Sequence, residues 1–286
     1  MDKIATRIAV VGATGLVGQT VIQILDKENI QAEYIHFNSK NLTKQTVKKF
    51  NPDFAFFCVS ADLSREWTPF FVKHGCTVID NSSAYRRDHG VPLVVPECNA
   101  DLLNRSHSII ANPNCSTIGA IVVLKPLDDR YKIKRIVYST YQAISGAGAN
   151  PTFAYPIENN LIPYIEGEEE KMVFETKKVL GRDDIEISAT CVRVPIKNCH
   201  SVSINVQFEK DIDIDEINKI LSSAPGVILC ENLPMPIIAD GRNEVFVGRV
   251  RLDKSRPNTI NLFTVSDNIR KGAAFNAVQI LKLLLN

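Results

Sequence analysis

The sequence predicts an α/β protein in two parts, a doubly wound parallel sheet followed by an α+β domain with a mostly antiparallel sheet. Up to about residue 116, short apolar strands alternate with helical segments, as in a parallel sheet covered by helices on both faces. Beyond that point the strands are longer. Several of them alternate between apolar and polar residues, as antiparallel strands with one solvated face do.

The first part begins with a short buried strand at residues 7–11, followed by a glycine-rich turn. The next stretch carries apolar side chains at a helical spacing, among them Val17, Val21 and Leu25, and predicts a helix packed on the sheet. Further strands are predicted at residues 33–37, 53–59, 76–80 and 108–111, and a further helix at residues 64–73.

The second part contains a charged amphipathic helix at residues 168–180 and a strongly apolar final helix at residues 272–285. Its strands are predicted at residues 135–141, 185–193, 201–208, 244–251 and 258–266. We expect the last helix to pack back onto the first part. The predicted domains are therefore residues 1–116 with 268–286, and residues 117–267.

Composition limits the class of function. Of the 286 residues, 45% are hydrophobic and 23% charged, enough for a sizeable core. Lys and Arg total 33 against 32 Asp and Glu, which argues against nucleic acid or a membrane surface as a partner. No apolar run approaches the ~20 residues of a membrane span, and the start leaves no room for a signal peptide. Seven cysteines without paired CxxC units predict no metal site and fit a reduced cytoplasm.

The turn GATGLVG at residues 12–18 lies between a strand and a helix. Glycines permit a tight turn there and let a phosphate approach the backbone, while the helix N-terminus offers N–H groups and a partial positive charge. An ordinary strand-to-helix turn is the alternative, but the context favours a dinucleotide. The residues predicted to contact it are Gly12, Thr14, Gly15, Leu16, Val17 and Gly18.

The choice between NAD and NADP depends on the end of the second strand. NAD sites commonly place an acidic residue there, and NADP sites a cationic or small polar one. Here Ser39 and Lys40 follow the strand, whereas Glu33 stands at its start, far from the expected ribose. This pattern favours NADP over NAD, with an exposed loop lysine as the alternative interpretation of Lys40.

The segment ANPNCST at residues 111–117 places Cys115 after a proline-containing turn and before an apolar helix at residues 118–124. A helix N-terminus lowers the pKa of a thiol and favours the thiolate. The backbone amides of such a turn can also stabilise an oxyanion. The residues alone leave two interpretations open, a nucleophile and a buried inert cysteine.

His200 follows the loop at residues 193–199 and precedes an alternating strand. A cysteine nucleophile needs a group that accepts and returns protons, and histidine titrates in the right range. A structural histidine is the alternative interpretation.

These motifs together resemble the aspartate-semialdehyde dehydrogenases, over nearly the whole chain. The motifs that carry the resemblance are GATGLVG at 12–18, DNSSAYR at 80–86, VPLVVPE at 91–97, NPNCSTI at 112–118, YQAISGAG at 141–148, EVFVGRVR at 244–251 and DNIRKGAA at 267–274, with RVP and HS around residues 193–201. NPNCST differs from the NPGCY typical of the related N-acetylglutamyl-phosphate reductases.

The resemblance implies a function and a set of roles. The family reduces L-aspartyl 4-phosphate to L-aspartate 4-semialdehyde with NADPH, for lysine (diaminopimelate), threonine and methionine biosynthesis. Cys115 matches the nucleophile that forms the thioester, His200 the acid/base and Gln142 the residue beside the nucleophile. Residues matching the substrate-binding positions are Arg193, Glu168 (with Glu169 and Glu170 as alternatives in register), Lys171, Arg86 and Asn114, and those near the nicotinamide are Ser145, Gly146 and Asn268. A homodimer or a tetramer of dimers is also implied.

Several positions depart from the family pattern. Cys199 replaces a glycine just before His200, Asp62 lies in a cofactor-facing turn that lacks its usual glycines, and Lys40 replaces an arginine. The chain also looks shortened around residues 40–50 and 155–167, the latter in a region of the family's subunit contact. These departures leave two alternatives, a catalytically impaired relative that serves as a binding or assembly subunit and a related acyl-phosphate reductase with another substrate.

Overall fold

The structure is a computed structural model that describes residues 6–148, 152–153 and 155–285. It falls into two compact units, here called unit 1 (Met1–Pro113 with Ala273–Asn286) and unit 2 (Asn114–Gly272). The predicted boundaries lie within five residues of these. The shift matters for the site because residues 114–116 and 268–272, predicted in the first domain, belong to unit 2.

Unit 1 alternates strands and helices as predicted. Its strands are β1 (Arg7–Val11), β2 (Glu33–Phe37), β3 (Phe54–Phe57), β4 (Thr77–Asp80) and β5 (Ile109–Ala111). Helices are numbered along the whole chain. Those of unit 1 are α1 (Leu16–Lys27), α2 (Lys44–Phe50), α3 (Ala61–Lys73), α4 (Pro96–Asn99) and, after the whole of unit 2, α9 (Phe275–Leu285).

The five strands form one parallel sheet in the order β2-β1-β3-β4-β5. The order reverses between β1 and β3, and ligands of doubly wound sheets bind at the carboxyl ends of strands at such a reversal. One core cluster joins Ile8 and Val10 of β1 with Ala277, Ile280 and Leu281 of α9. The final helix therefore packs onto the first sheet, as predicted.

The glycine turn explains how α1 comes so close to this sheet. Gly12 has a φ of +85°, and a Cβ there would lie 2.2 Å from the carbonyl oxygen of Cys58, just after β3. A Cβ on Gly18 would lie 2.3 Å from the carbonyl oxygen of Gly12. Both positions require glycine because any side chain would separate the helix from the strand ends.

Unit 2 is an α+β unit. Its strands are β6 (Ile133–Gln142), β7 (Glu186–Arg193), β8 (His200–Phe208), β9 (Val227–Leu229), β10 (Val245–Leu252) and β11 (Thr259–Ser266). Its helices are α5 (Cys115–Tyr131), α6 (Glu168–Leu180), α7 (Ile214–Ser223) and α8 (Pro236–Ala239). The bounds of α6 match the prediction. The sequence interpretation missed α7, although Asp213 caps its start and Ile217 and Leu221 are buried at helical spacing.

The strands of unit 2 form a mixed sheet in the order β7-β6-β8-β11-β10-β9. The pairs β6/β8, β8/β11 and β10/β11 are antiparallel, and the outer pairs β6/β7 and β9/β10 are parallel. The predicted mostly antiparallel sheet is confirmed. Because β6 and β7 run together while β8 runs back, the ends of β6 and β7 and the start of β8 meet at one edge.

Helix α5 is buried on nearly every side, from Ser116 through Leu124. Among the residues that the structure describes, no helix is long and apolar enough to cross a membrane.

Candidate active site

Three predicted site residues meet at this edge of the unit 2 sheet. β6 ends at Gln142 and β7 at Arg193, and these two residues are paired in the parallel register. β8 begins at His200, whose neighbour Ser201 pairs with Tyr141 of β6. All three side chains are buried, with Gln142 1% exposed, Arg193 5% and His200 1%. Strand pairing therefore brings together residues that lie up to 58 positions apart in the sequence.

Cys115 is the first residue of α5, as predicted, and is half-buried. A thiol at this position experiences the partial positive charge of the helix N-terminus, which favours the thiolate. The Arg193 guanidinium lies within electrostatic range of Cys115. Burial lowers the pKa of Arg193, and the charges of Cys115 and Glu168 counteract that shift. Arginine stays protonated, so it adds a second positive charge that stabilises the thiolate.

Asn114 caps this helix. Its Oδ1 accepts hydrogen bonds from the backbone N–H groups of Ser116 at 3.0 Å and Thr117 at 3.4 Å. Such caps satisfy amides that have no partner within the helix. The two amides are occupied by Asn114, so neither of them is available to an oxyanion.

Glu168 lies at the centre of a network of polar side chains. Its Oε2 accepts from Asn114 Nδ2 at 2.9 Å and from Gln142 Nε2 at 3.3 Å, and its Oε1 pairs with Lys171 Nζ at 2.7 Å. Burial raises the pKa of Glu168, but Lys171 and the amide donors outweigh burial and leave the pKa below its ordinary value. Glu168 is therefore an anion beside the nucleophile.

The side chains of Glu169 and Glu170, the alternatives to Glu168 in register, point elsewhere. Glu169 Oε1 accepts from the backbone N–H of Cys191 at 3.1 Å, so it faces β7, and Glu170 is exposed. Among the three glutamates, Glu168 alone contacts Asn114 and Gln142 in the described part of the chain.

The peptide of Ala143 holds two functional groups at once. Its N–H donates to His200 Nδ1 at 3.0 Å, and its carbonyl oxygen accepts from Arg193 Nη1 at 2.6 Å. Further backbone bonds tie the same loop to the segment before β8, from Ile144 N–H to the carbonyl of Ile196. Arg193 and His200 are thus fixed relative to each other through a single peptide.

The hydrogen bond to Ala143 determines which nitrogen of His200 carries the proton. A nitrogen that accepts an N–H bond uses its lone pair, so in the neutral ring the proton is on Nε2. Burial, helped by the nearby Arg193, lowers the pKa of His200 to about 3, so the ring is neutral at neutral pH. Nε2 is buried and has no hydrogen-bond partner among the described residues. The site thus presents a desolvated N–H donor.

The absence of a side chain at Gly146 leaves room for the Nε2–H of His200. A Cβ on Gly146 would lie 2.8 Å from His200 Nε2 and 2.8 Å from Arg193 Nη1. The adjacent Ser145 shares hydrogen bonds with Asn268, whose Nδ2 lies 3.1 Å from Ser145 Oγ. These three residues, predicted near the nicotinamide, lie beside His200 and Arg193 in unit 2.

Cys199, where the family pattern has glycine, has a buried side chain and a left-handed backbone. Its φ of +73° lies in the left-handed region, which explains why glycine suits the position. Its side chain is fully buried in an apolar cluster with Phe246 and Val265. Its backbone N–H is held by Asn268 Oδ1 at 2.9 Å. The Ala143 N–H still donates to His200 Nδ1 despite the left-handed backbone at Cys199.

Five of the other cysteines have thiols whose pKa is raised by burial. Burial raises the pKa of the Cys58 thiol to about 12, of Cys191 to about 11 and of Cys199 to about 12, and it also raises the pKa of Cys76 and Cys230. Thiols with raised pKa values are poor nucleophiles at neutral pH.

Unit 1 offers a surface that fits a dinucleotide. The N-cap of α1 is Gly15, so no cap side chain covers the amides of the first turn, and Thr14 is exposed. Ser39 and Lys40 are exposed just beyond β2, whose end is joined to the turn by the Gly12 N–H bond to the Phe37 carbonyl. Glu33 lies at the opposite end of β2, paired with Arg7.

Arg86 also belongs to unit 1. It is buried, and its Nη2 donates to the carbonyl oxygen of Asn81 at 2.9 Å. Asp62, another departure from the family pattern, is exposed in the first turn of α3. An acidic residue there interacts favourably with the helix dipole, which gives Asp62 a structural role.

Two contacts around the nucleophile were not predicted. Glu175 Oε2 accepts from the backbone N–H of Asn114 at 2.5 Å. A Cβ on Gly272 would lie 2.7 Å from the Cβ of Cys115, so the backbone of the DNIRKGAA segment packs directly against the nucleophile. The spacing of residues carries no signal for either contact, because each joins segments distant in the sequence.

The parallel sheet with its glycine turn is typical of an oxidoreductase that uses a nicotinamide cofactor, and Cys115 at the start of α5 is the candidate nucleophile. Family models support this class. The model described as "Semialdehyde dehydrogenase, NAD binding domain" matches residues 38–106, and the "Semialdehyde dehydrogenase, dimerisation domain" matches residues 124–271.

Relatives identify the family more closely. The chain is 42% identical to an aspartate-semialdehyde dehydrogenase of Aquifex aeolicus and 39% identical to one of Campylobacter jejuni, with 98% and 96% of both chains covered. The structure resembles aspartate semialdehyde dehydrogenase II from Vibrio cholerae complexed with ASA, with 34% identity, 99% of each chain covered and a TM-score of 0.92. It also resembles the Candida albicans enzyme with NADP, at 26% identity, 98% of each chain and a TM-score of 0.79. The chain belongs to the aspartate-semialdehyde dehydrogenase family.

The alignment to the Aquifex aeolicus relative runs over 332 positions, more than the 286 residues of this chain. It therefore includes positions at which this chain has no residue, in keeping with the shortening seen in the sequence.

Proposed function

We propose that the protein catalyses the NADPH-dependent reductive dephosphorylation of L-aspartyl 4-phosphate to L-aspartate 4-semialdehyde. The observation that carries this proposal is the cluster at one edge of the unit 2 sheet. There Gln142, Arg193 and His200 lie together at the ends of neighbouring strands. Arg193 is also close enough to interact electrostatically with Cys115 at the N-terminus of α5. The names of the relatives and the ASA complex of the Vibrio cholerae structure support the choice of substrate.

The charges of the site fit this substrate. Arg193 is assigned to the α-carboxylate, for which a planar guanidinium with paired donors is suited. Glu168 is assigned to the ammonium group, because its pKa is held below the ordinary value and it stays anionic. Lys171, Asn114 and, from unit 1, Arg86 are assigned to the phosphate.

The chemistry begins at Cys115. The thiolate attacks the acyl carbon, and the C–O bond to phosphate breaks, leaving a thioester on Cys115 and inorganic phosphate. When bound, NADPH would supply the hydride that converts the thioester to the aldehyde, with the Cys115 thiolate as the leaving group. Gln142 orients the acyl group beside the nucleophile.

His200 supplies a hydrogen bond from Nε2 to the oxygen that gains charge in each step. Donors aimed at a developing oxyanion in a desolvated site lower the barrier strongly. This role fits a neutral ring whose Nδ1 is occupied by the Ala143 N–H. To serve as the predicted acid/base by taking up a proton at Nδ1, His200 would have to give up that bond. The Cys115 thiolate is therefore stabilised by the N-terminus of α5 and by Arg193, not by proton transfer to His200.

The proposed cofactor is NADP rather than NAD. The support is Ser39 and Lys40, both exposed at the carboxyl end of β2, with Glu33 at the other end of the strand. The glycine turn would hold the pyrophosphate. Ser145, Gly146 and Asn268 would contact the nicotinamide, which is tested by the effect of Asn268→Ala on the KM for NADPH.

We further propose a homodimer formed through unit 2, supported by the match to the dimerisation domain, and a tetramer of dimers as the larger assembly. Analytical ultracentrifugation distinguishes these states. The proposed place of action is the cytoplasm, in the synthesis of lysine by way of diaminopimelate, threonine and methionine. The complete set of site residues argues against the impaired relative.

The decisive assay measures phosphate-dependent reduction of NADP by aspartate semialdehyde. The wild type is expected to be active and Cys115→Ala inactive, and equal rates would refute the nucleophile. Arg193→Lys is expected to raise the KM for aspartate semialdehyde at least tenfold, about 1.4 kcal/mol, because it loses the paired donors. The KM for NADP should change less than twofold.

A further inference from the structure

We propose that Glu175 is a positioning residue for the nucleophile, which it holds through the backbone of Asn114. This inference rests on the proposed function, because it assumes that Cys115 is the reacting group. The juxtaposition that supports it is a buried carboxylate on α6 bonded to the peptide N–H directly before the cysteine.

The contact joins two buried groups. Glu175 is 1% exposed, and its Oε2 accepts from Asn114 N–H at 2.5 Å. Burying the polar end of a glutamate is unfavourable unless hydrogen bonds compensate, and the bond from Asn114 N–H is one such bond. The Asn114 N–H is one of the amides that the helix itself cannot satisfy.

The same helix reaches the same turn at two further points. Glu168 Oε2 accepts from Asn114 Nδ2 at 2.9 Å, and Met172 Sδ accepts from Thr117 Oγ1 at 3.4 Å. Residues 168, 172 and 175 follow the i, i+4, i+7 spacing of one helix face, and all three are buried.

One face of α6 therefore holds the turn before and after Cys115. Asn114 is fixed by its N–H, by its Nδ2 and by its own cap to Ser116. Removing the Glu175 contact leaves the backbone N–H of Asn114 without this acceptor, so Asn114 is then held mainly through its side chain. A displacement of about 1 Å at a reacting group costs roughly 100-fold in rate.

The test compares Glu175→Gln, Glu175→Asp and Glu175→Leu. Glutamine keeps an acceptor at the same reach, whereas aspartate is one methylene shorter and leucine has no acceptor. We expect kcat to fall by about 10- to 100-fold in the aspartate and leucine variants, with the KM for aspartate semialdehyde within threefold, and the glutamine variant to retain at least a third of kcat. The rate at which iodoacetamide alkylates Cys115 at neutral pH should fall in parallel with kcat.

Glu169→Leu is the matched control. Glu169 makes the same kind of contact from the same helix, a carboxylate to a backbone N–H, but its partner is Cys191 on β7. Its loss is expected to lower the melting temperature without changing Cys115 alkylation. If Glu175→Asp and Glu175→Leu, compared per folded molecule, keep the wild-type kcat and alkylation rate, the inference is wrong. If Glu175→Leu does not fold, the aspartate and glutamine pair decides. A wild type without phosphate-dependent activity would instead refute the proposed function.

Discussion

Replacing Gly146 with alanine should disable the site while leaving the protein folded. A Cβ at this position would lie 2.7 Å from His200 Cε1 and 2.8 Å from both His200 Nε2 and Arg193 Nη1. Neither neighbour can retreat freely, because both are bonded to the Ala143 peptide. The backbone of Gly146 is not in the left-handed region, so alanine adds no backbone strain.

The expected loss of kcat/KM in Gly146→Ala follows from these distances. Carbon contacts are ordinary from about 3.5 Å, so the ring and the guanidinium must each move by about 0.7 Å. A shift of that size at groups aligned with the reacting atoms lowers kcat/KM for aspartate semialdehyde by roughly 10- to 100-fold. The melting temperature is expected to fall by less than about 4 °C, the effect of ~1 kcal/mol or less.

Gly181→Ala is the matched control. Gly181 ends α6 with a φ of +66° and has nothing within 4 Å of an added Cβ. Alanine there should cost about 1 kcal/mol of stability from backbone strain but leave kcat/KM unchanged. Steady-state kinetics and thermal denaturation of both variants test the reasoning. Wild-type kcat/KM in Gly146→Ala, or an equal loss in Gly181→Ala, would refute it.

The remaining predictions concern His200, Cys199 and Lys40. The pKa of His200 is about 3 in the folded protein, well below the ordinary histidine pKa of about 6.5. The pH profile of kcat/KM should therefore show no acid limb near about pH 6.5. An acid limb there that disappears in His200→Asn would contradict the neutral donor. Between about pH 3 and about pH 6.5 the unfolded ring binds a proton that the folded ring does not. The stability that neutral His200 contributes is therefore complete above about pH 6.5 and is lost as the pH falls toward 3. Urea titrations at several pH values measure this loss. Cys199→Gly should leave kcat within twofold, because relief of the positive φ offsets the lost thiol packing, and a tenfold gain would mean that Cys199 misplaces His200. Lys40→Ala should raise the KM for NADPH at least fivefold and that for NADH less than twofold, and equal effects would remove Lys40 from 2′-phosphate recognition.

The sequence carries strong signals where structure depends on local chemistry. The bounds of α6 follow from Gly167 and Gly181, both in the left-handed conformation, on either side of an amphipathic run. The glycine turn is similarly local, since Gly12 and Gly18 serve a single strand-to-helix junction. Cys115 is recognisable for the same reason, as the first residue of a helix after Asn114.

The remaining features depend on contacts across the fold. The start of α5 was clear, but its extension to Tyr131 passes through Pro126 and charged residues, and packing in the core overrides that local pattern. The Ala143 peptide and Glu175 carry no motif of their own. Each acquires its role only after strand pairing or helix packing brings it to His200 or Asn114. Short segments such as β9 (Val227–Leu229) are too brief for a periodic signal.

Capture of the thioester on Cys115 tests most directly whether this residue is the nucleophile. Incubation with aspartate semialdehyde and NADP in the absence of phosphate should oxidise the aldehyde once and stop at the acyl-enzyme. Intact-protein and peptide mass spectrometry should then show one aspartyl group on the peptide that contains Cys115, and addition of phosphate should remove it. Failure to form this adduct in a protein that turns over with phosphate, or an adduct on another residue, would contradict the central claim.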